Sequence, residues 1–269
     1  MAKAPGITIE DLSVAFKTKT GAVTALDRVS FDIAPGSFLS VVGPSGCGKT
    51  TLLKVLSGVL QPSGGRVLFD GEPISRGKVQ GQVGYVFQRA LLLPWRTALE
   101  NVMLTLEVAR RGMSLKQREQ EARRWLAIAG LEGFEDRLPH ELSGGMQQRV
   151  SICRALAFQP KVLLMDEPFA ALDEITRETL QEELLRLWAQ TETTVVFITH
   201  SIPEAILLSE QIVVMSARPG RVLERIEVPF ARPRGEEVRE RPEFAALAAR
   251  IRGHLRHRDT ARRPEPVEA

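Results

Sequence analysis

Long hydrophobic runs are missing from this 269-residue sequence. The longest apolar stretches, such as those from Val162 to Met165 and from Val195 to Ile198, are far shorter than the roughly 20 residues that a helix needs to cross a bilayer. The first six residues carry a lone Lys3 and no apolar segment of the kind found in signal peptides. We therefore expect a chain with no membrane span of its own and a cytoplasmic location.

Cysteine is scarce as well, with only Cys47 and Cys153. A disulfide framework or a zinc site would show paired Cys or Cys/His spacings, and the sequence has neither. Two reduced thiols are expected.

An excess of charge of one sign is also missing, because basic and acidic residues nearly balance and the formal net charge is only +3. Much of the basic excess lies between Arg232 and Arg263. This basic excess favours proximity to an anionic membrane face over a nucleic-acid partner, which we do not expect.

What the sequence does contain is the pattern of an α/β protein. Near the N-terminus apolar residues alternate at Leu12, Val14 and Phe16 and again from Val29 to Ile33, which predicts an antiparallel β layer. Short continuous apolar runs, typical of parallel strands covered on both faces, follow at 38–42, 162–165, 195–199 and 212–215.

Between Arg96 and Pro160 the apolar period becomes helical. Ser114 to Gln117 reads as a capping box, and Gly130 ends the helix that it opens. The predicted buried stripe of that helix is Ala122, Trp125, Leu126 and Ala129. We predict a helical subdomain, at about 89–160, inserted into a core domain at 7–228.

The C-terminal part, 229–269, is predicted to be a tail with one short amphipathic helix. Pro242 suits the first turn of this helix. Its apolar face would consist of Phe244, Leu247, Ala248, Ile251 and Leu255. The polar residues after His257 are expected to fray.

One Gly-rich segment matches the P-loop pattern G-x-x-x-x-G-K-[ST]. It consists of Gly43, Pro44, Ser45, Gly46, Cys47, Gly48, Lys49 and Thr50. Because it lies between an apolar strand and a helical stripe, its backbone N–H groups can converge on phosphate oxygens, with Lys49 on the β and γ phosphates and Thr50 on Mg²⁺. ATP and Mg²⁺ are the predicted cofactors, with Thr51 included in the nucleotide site; the alternative is a plain Gly-rich turn.

A second segment, from Val162 to Glu167, ends a buried strand with two adjacent carboxylates. At the carboxyl edge of a sheet, Asp166 can hold a hydrated Mg²⁺ while Glu167 orients or deprotonates the attacking water. The alternative is a solvated acidic strand end.

The run from Leu142 to Arg149 resembles the signature sequence of ABC ATPases. Ser143 as an N-cap followed by Gly144 and Gly145 makes a second anion-binding helix start, to which we add Gln147. The resemblance implies a P-loop NTPase core and a head-to-tail homodimer with two ATP molecules at its interface.

Other family elements follow in the expected order across 7–228. Phe16 resembles the aromatic residue that stacks on adenine, Gln88 the Q-loop glutamine, 171–173 the D-loop and His200 the switch histidine. The resemblance thus implies four catalytic side chains, namely Glu167, His200, Lys49 and Gln88. It implies three metal ligands, namely Thr50, Gln88 and Asp166.

The segments from Gln88 to Val102 and from Pro229 to Leu255 are similar to those of importer ATPases of the nitrate, sulfonate and taurine group. This resemblance implies a role in energising import of a small anionic solute, separate transmembrane permease subunits and, indirectly, a solute-binding protein, with a peripheral location on the cytoplasmic membrane face. The stretch from Leu91 to Trp95 would be an exposed apolar patch for a permease helix, or else part of the helical subdomain's own core.

Three alternative functions are weighed against this interpretation. A non-transport ABC ATPase would bring tandem domains, long heptad coiled coils or zinc-binding cysteine pairs, and none is present. An exporter often carries a fused membrane domain, whose absence favours an importer. A pure binding module is disfavoured because the carboxylate at Glu167 is intact.

Overall fold

The computed structural model describes residues 6–19, 21–74 and 81–256. These residues form two compact units. Unit 1 contains 34–37 and 81–197, and unit 2 contains 7–19, 21–33, 38–74 and 198–256. Within the described part of the chain, no helix combines the length and the apolar character that a membrane span requires. Cys47 and Cys153 are both buried free thiols, as expected.

Unit 2 contains the predicted antiparallel β layer. Its four strands are β1 (Ile7–Thr18), β2 (Gly21–Ile33), β4 (Gly64–Phe69) and β5 (Glu72–Pro73), in the order β2-β1-β4-β5. β1 pairs with β2 from Ile7 opposite Ile33 to Thr18 opposite Gly21. The alternating residues bury one face of the layer, as the period of two requires.

The other strands of unit 2 are β3 (Phe38–Val42), β9 (Gln211–Met215) and β10 (Val222–Glu227). β3 is parallel to β9, and β10 is antiparallel to β9. All five residues of β3 are buried, which explains its continuous apolar sequence. The helices of this unit are α1 (Lys49–Leu56), α6 (Ile202–Leu208) and α7 (Pro242–Arg256).

The described part of the C-terminal segment is packed into the core of unit 2. α7 begins at Pro242 as predicted, and its buried residues are Phe244, Leu247, Ala248 and Ile251. With Phe230 and Val238 they join one apolar cluster with residues of α6 and β9. The residues after His257, predicted to fray, lie outside the described residues.

The arginines that open the basic C-terminal stretch do not form a free basic surface. Arg234 is only 6% exposed, and its guanidinium donates to the carbonyls of Phe230, Ile206, Leu207 and Ser209. Arg232 is paired with Glu210, and Arg250 with Glu224. Tertiary contacts within the unit therefore use the charge of these three side chains, and the expected proximity of the basic stretch to a membrane face stays a prediction.

The described residues of unit 1 form three strands and four α-helices. The strands are β6 (Val83–Val86), β7 (Val162–Asp166) and β8 (Thr194–Thr199), of which β6 and β7 are parallel and β8 enters unit 2 at Ile198. The helices are α2 (Ala98–Ala109), α3 (Leu115–Ile128), α4 (Gly144–Leu156) and α5 (Glu174–Trp188). Short 3₁₀ turns occupy Pro139–Glu141 here and Glu236–Val238 in unit 2.

The predicted helical region holds α2, α3 and α4. Ser114 and Gln117 form the predicted capping box of α3, and Ala122, Trp125 and Leu126 are buried. Gly130 follows with φ of 66°, the left-handed conformation that ends helices. The domain boundaries drawn from the sequence stay predictions.

Candidate nucleotide-binding and catalytic site

The P-loop connects β3 to α1 within unit 2, and packing requires its glycines. A Cβ added to Gly43 would lie 2.8 Å from the Cys47 sulfur and 3.1 Å from the Met215 carbonyl oxygen. Gly48 has φ of 103°, and a Cβ there would lie 2.7 Å from a methyl carbon of Leu26. Larger residues would push the loop away from the body of the unit, so the glycines set its tight curve.

The same loop offers a positive, donor-rich surface. Lys49 is 6% exposed, and its Nζ lies 2.8 Å from the Gly43 oxygen and 3.1 Å from the Pro44 oxygen. Among the described residues, the backbone N–H groups of Ser45, Gly46 and Gly48 have no protein acceptor. A buried ammonium beside N–H groups that lack acceptors, at the start of a helix, fits a bound phosphate chain.

The two adjacent carboxylates lie in unit 1, at the end of β7. Asp166 is the last residue of the strand, and Glu167 follows with φ of 46°, an uncommon conformation for a non-glycine residue. The chain then enters the core, where the rings of Phe169 and Phe197 lie 5.8 Å apart. Backbone strain of this kind is often found at active sites, where it is part of the positioning of a functional residue.

Sequence reasoning missed one neighbour of these carboxylates, Tyr85 on β6. Burial raises the pKa of the Tyr85 hydroxyl, and the charge of Asp166, to which that hydroxyl hydrogen-bonds, raises it further. The ring of Tyr85 also stacks on Phe87 at 4.3 Å. The contact between Tyr85 and Asp166 could not be predicted from the sequence, because the pairing of β6 with β7 joins segments far apart in the chain.

The signature segment is built at the start of α4. Ser143 is the predicted N-cap and accepts a hydrogen bond from the Met146 N–H. A Cβ on Gly145 would lie 2.6 Å from the Thr176 methyl carbon at the start of α5, so this glycine is required by close packing. Gln147 donates to the carbonyls of Pro139 and Leu142, which braces the turn before the helix.

The D-loop, 171–173, leads directly into α5. Asp173 is the N-cap of that helix and accepts a 2.9 Å hydrogen bond from the Thr176 N–H. Hydrogen bonds from Thr176 hold the pKa of the Asp173 carboxyl below its ordinary value. The helix start that packs on Gly145 is therefore the one that the D-loop caps.

Further along α4, two side chains hold the segment around Gln88. Gln148 Nε2 lies 3.2 Å from the Phe87 oxygen, and Arg154 donates to the carbonyls of Ala90 and Leu91 at 2.8 and 2.9 Å. The signature helix is thus tied directly to the chain on both sides of Gln88.

The apolar stretch after Gln88 is exposed at its ends. Leu91 is 56% exposed and Trp95 is 72% exposed, which contradicts the alternative that they are buried in the helical subdomain. The fully buried Asn101 accepts from the Leu93 N–H and donates to the Leu93 carbonyl, and it also donates to the carbonyls of Arg96 and Thr97, just after the stretch. A rigid backbone therefore presents Trp95 to solvent.

The remaining predicted residues are distributed over both units. In unit 2, Phe16 on β1 is 42% exposed, Thr50 and Thr51 lie in α1, and His200 follows β8. Thr199, next to His200, donates a 2.5 Å hydrogen bond to buried Glu204 and accepts one from the Ser201 N–H. Unit 1 holds Gln88, Asp166, Glu167 and the signature segment.

Known proteins are similar to this chain in sequence and in fold. The family model described as ABC transporter matches residues 26–170. The taurine import ATP-binding protein TauB of Rhizobium johnstonii is 45% identical over 93% of this chain and 96% of its own. The aliphatic sulfonates import ATP-binding protein SsuB of Bacillus cereus is 44% identical over 86% of this chain and 90% of its own.

Among solved structures, the ATP-binding cassette MJ0796, a dimer bound to ADP and Pi in a post-hydrolysis state, superposes with a TM-score of 0.74. It is 35% identical, over 84% of this chain and all of that chain. The fold class and family predicted from the sequence are confirmed. The chain belongs to the ABC transporter family, as a nucleotide-binding subunit that hydrolyses ATP to drive transport.

Proposed function

We propose that this subunit energises import of a small anionic solute of the taurine, sulfonate or nitrate type. The observation that carries the proposal is the likeness to TauB and SsuB, at 44–45% identity over 86–93% of this chain. The similarity extends beyond the ATP-binding core, because residues matched over 93% of the chain must include much of the C-terminal segment.

For the nucleotide site, we assign the triphosphate to the P-loop, 43–50, with the adjoining Thr51. The N–H donors of the loop and the Lys49 ammonium hold phosphate oxygens. Phe16, partly exposed on β1, offers its ring for stacking on adenine. ATP supplies the phosphoryl group, and the protein supplies positioning and charge.

For hydrolysis, we assign the general base to Glu167 and an orienting role to His200. Glu167 has the carboxylate chemistry to accept a proton from water, and its uncommon positive φ sets the direction in which the Cα–Cβ bond leaves the backbone. Gln88 would sense the bound nucleotide, since α4 holds the residues on either side of it.

Mg²⁺ is the proposed metal, with Thr50, Gln88 and Asp166 as its protein ligands. A hydroxyl, an amide and one carboxylate suit a hard cation that retains waters and shares phosphate oxygens. No group of three or more His, Cys, Asp or Glu side chains in 6–19, 21–74 and 81–256 could hold a metal alone. A donor set of this kind depends on the nucleotide to complete it.

The proposed assembly is a homodimer in which Ser143, Gly144 and Gly145 of one subunit act on the ATP held by the P-loop of the other. Each chain has two helix starts suited to phosphate, one at α1 and one at α4. MJ0796, which has the same fold, forms a dimer.

The proposed permease contact is the stretch from Leu91 to Trp95. An exposed tryptophan on a rigid backbone is typical of an interface anchor. Because Arg154 joins this stretch to the signature helix, closure of the dimer on ATP can move it. This contact would place the subunit on the cytoplasmic face of the membrane, with the solute-binding protein acting through the permease.

The test is transport by the reconstituted complex. The chain is co-expressed with the permease encoded beside its gene, placed in proteoliposomes with the solute-binding protein, and assayed for ATP-dependent uptake of labelled taurine, an alkanesulfonate and nitrate. Uptake of at least one of these, lost with Glu167→Gln, supports the proposal. ATP-dependent movement of only unrelated solutes, or export, would contradict it.

A further inference from the structure

The turn between β9 and β10, residues 216–221, is rigidly built. The Ser216 N–H donates to the Arg221 carbonyl at 2.9 Å, and the Arg221 N–H donates to the Ser216 hydroxyl oxygen at 3.0 Å. The same hydroxyl bonds the Pro219 carbonyl at 2.9 Å. Ser216 is 5% exposed, so these bonds are shielded from water and fix the shape of the turn.

This turn is also fastened to β2. Gly220 donates to the Ala25 carbonyl at 2.9 Å and accepts from the Asp27 N–H at 3.0 Å. The Arg221 guanidinium pairs with the Asp27 carboxylate and holds the pKa of that carboxyl below its ordinary value. The position of the turn within unit 2 is therefore fixed by both backbone and side-chain bonds.

The turn lies directly against the P-loop. A Cβ added to Gly220 would lie only 2.1 Å from the Cys47 carbonyl oxygen, so the two backbones touch there. A Cβ on Gly46 would lie 3.8 Å from Nη2 of Arg218. Arg218, near the tip of the turn, thus brings its guanidinium beside the middle of the P-loop.

The charge of Arg218 has no partner among the residues that the structure describes. The side chain is exposed and, within the described residues, makes no hydrogen bond or ion pair. Arg221, by contrast, is neutralised by Asp27. An arginine whose guanidinium lies beside Gly46 adds positive charge to the loop that also carries Lys49 and the open N–H donors, and so raises the positive potential where the phosphates bind.

We propose that Arg218 is a further nucleotide-contacting residue, whose guanidinium donates to phosphate oxygens of ATP or ADP in the P-loop. The inference rests on the proposed phosphate-binding role of the loop and adds a contact to it. Guanidinium suits this task because its planar set of N–H donors matches the geometry of phosphate oxygens.

The test is nucleotide binding by the full chain, with affinity as the readout. Dissociation constants are measured by calorimetry for ADP, and for ATP in the Glu167→Gln background. Arg218→Ala should raise both constants about tenfold, the scale of one charge-assisted hydrogen bond at a partly solvated site. Arg218→Lys should recover part of the loss, and Arg218→Gln should not.

Two controls accompany these variants. Arg225→Ala removes another arginine of the same hairpin, whose guanidinium donates to the Asp32 carbonyl at 3.2 Å, and should leave the affinities unchanged. Lys49→Ala should weaken binding strongly if the P-loop holds the phosphates. Melting temperatures without nucleotide report whether each variant is folded. If Arg218→Ala melts below the wild type, the test is decided by the nucleotide affinities of Arg218→Lys and Arg218→Gln, of which only the Lys variant should recover binding.

The outcomes separate the two proposals. Weakening by Lys49→Ala but not by Arg218→Ala overturns the Arg218 contact alone. Full recovery with Gln would indicate a neutral contact to the sugar or base, and an equal loss with Arg225→Ala would indicate a structural effect of the hairpin; each contradicts the phosphate contact. No effect of Lys49→Ala would overturn the proposed P-loop role itself.

Discussion

Tyr85 and Asp166 lie near the ends of adjacent parallel strands, and the tyrosine hydroxyl donates a hydrogen bond to the carboxylate. The bond is partly shielded from water, since burial is the largest cause of the raised pKa of Tyr85. Tyr85 thereby limits the directions in which Asp166 can point. If Asp166 holds Mg²⁺ as proposed, the hydroxyl acts as a positioning group for the metal ligand.

Tyr85→Phe should raise the Mg²⁺ concentration for half-maximal hydrolysis by about three- to tenfold, because one hydrogen bond to a charged group is lost while the ring stays stacked on Phe87. A magnesium titration of ATPase activity is the measurement. Lower thermal stability with an unchanged magnesium requirement would show that the hydroxyl is only structural.

Glu167→Gln should slow hydrolysis by about two orders of magnitude or more, the usual scale for losing a general base. Binding of ATP should persist, because the phosphates are assigned to the P-loop. Steady-state turnover and ATP binding are measured together. Turnover close to that of the wild type would remove Glu167 from the role of base.

Trp95→Ala should weaken association with the permease by about 2 kcal/mol, the scale of a buried interfacial aromatic side chain. A charge placed at Leu92 should act in the same direction. Co-purification with the permease is the assay, and ADP affinity should not change. Val59→Ala, at a site 67% exposed, is the matched control and should have no effect. A Trp95 variant that loses its fold would revive the core interpretation.

The shared ATP site can be tested with heterodimers of Lys49→Ala and Ser143→Arg chains, isolated by two affinity tags. If the sites are shared between subunits, one site carries both lesions and the other is intact. Hydrolysis should then exceed that of either mutant homodimer.

The matched control pairs a wild-type chain with a chain carrying both changes. Shared sites would then both be damaged, whereas sites within one chain would leave one whole. A control heterodimer more active than the first one would show that the proposed dimer is wrong.

Arg234→Met should lower the free energy of unfolding by about 3–5 kcal/mol, the scale of breaking a buried charged network. The methionine keeps apolar bulk but leaves carbonyls at the end of α6 without their donor. Burial lowers the pKa of Arg234 to about 10, so the group is still a cation at neutral pH. Urea unfolding is the measurement, with exposed Arg252→Ala as a neutral control. A loss equal to that of Arg252→Ala would mean that the network contributes little.

Sequence patterns over a few residues determined much of the local structure of this protein. The P-loop, the strand that ends at Asp166, the N-cap at Ser143 and the capping box at Ser114 all depend on neighbours a few residues apart, and the structure has each of them. The apolar face of α7 follows from its helical period in the same way. Such features are readable because hydrogen bonds within a turn and burial of one face act over short stretches of chain.

Contacts between distant segments were decided only by the tertiary structure. Sequence patterns left both a buried and an exposed Trp95 open, and its exposure depends on Asn101 and Arg154 holding the backbone in place. Likewise, Tyr85 meets Asp166 because two strands pair across more than one intervening helix. Arg218 and Arg234 have the same side chain but opposite environments, one exposed beside the P-loop and the other buried beneath α6. Residue type cannot distinguish these fates, because burial and charge pairing depend on which distant segments the fold brings together.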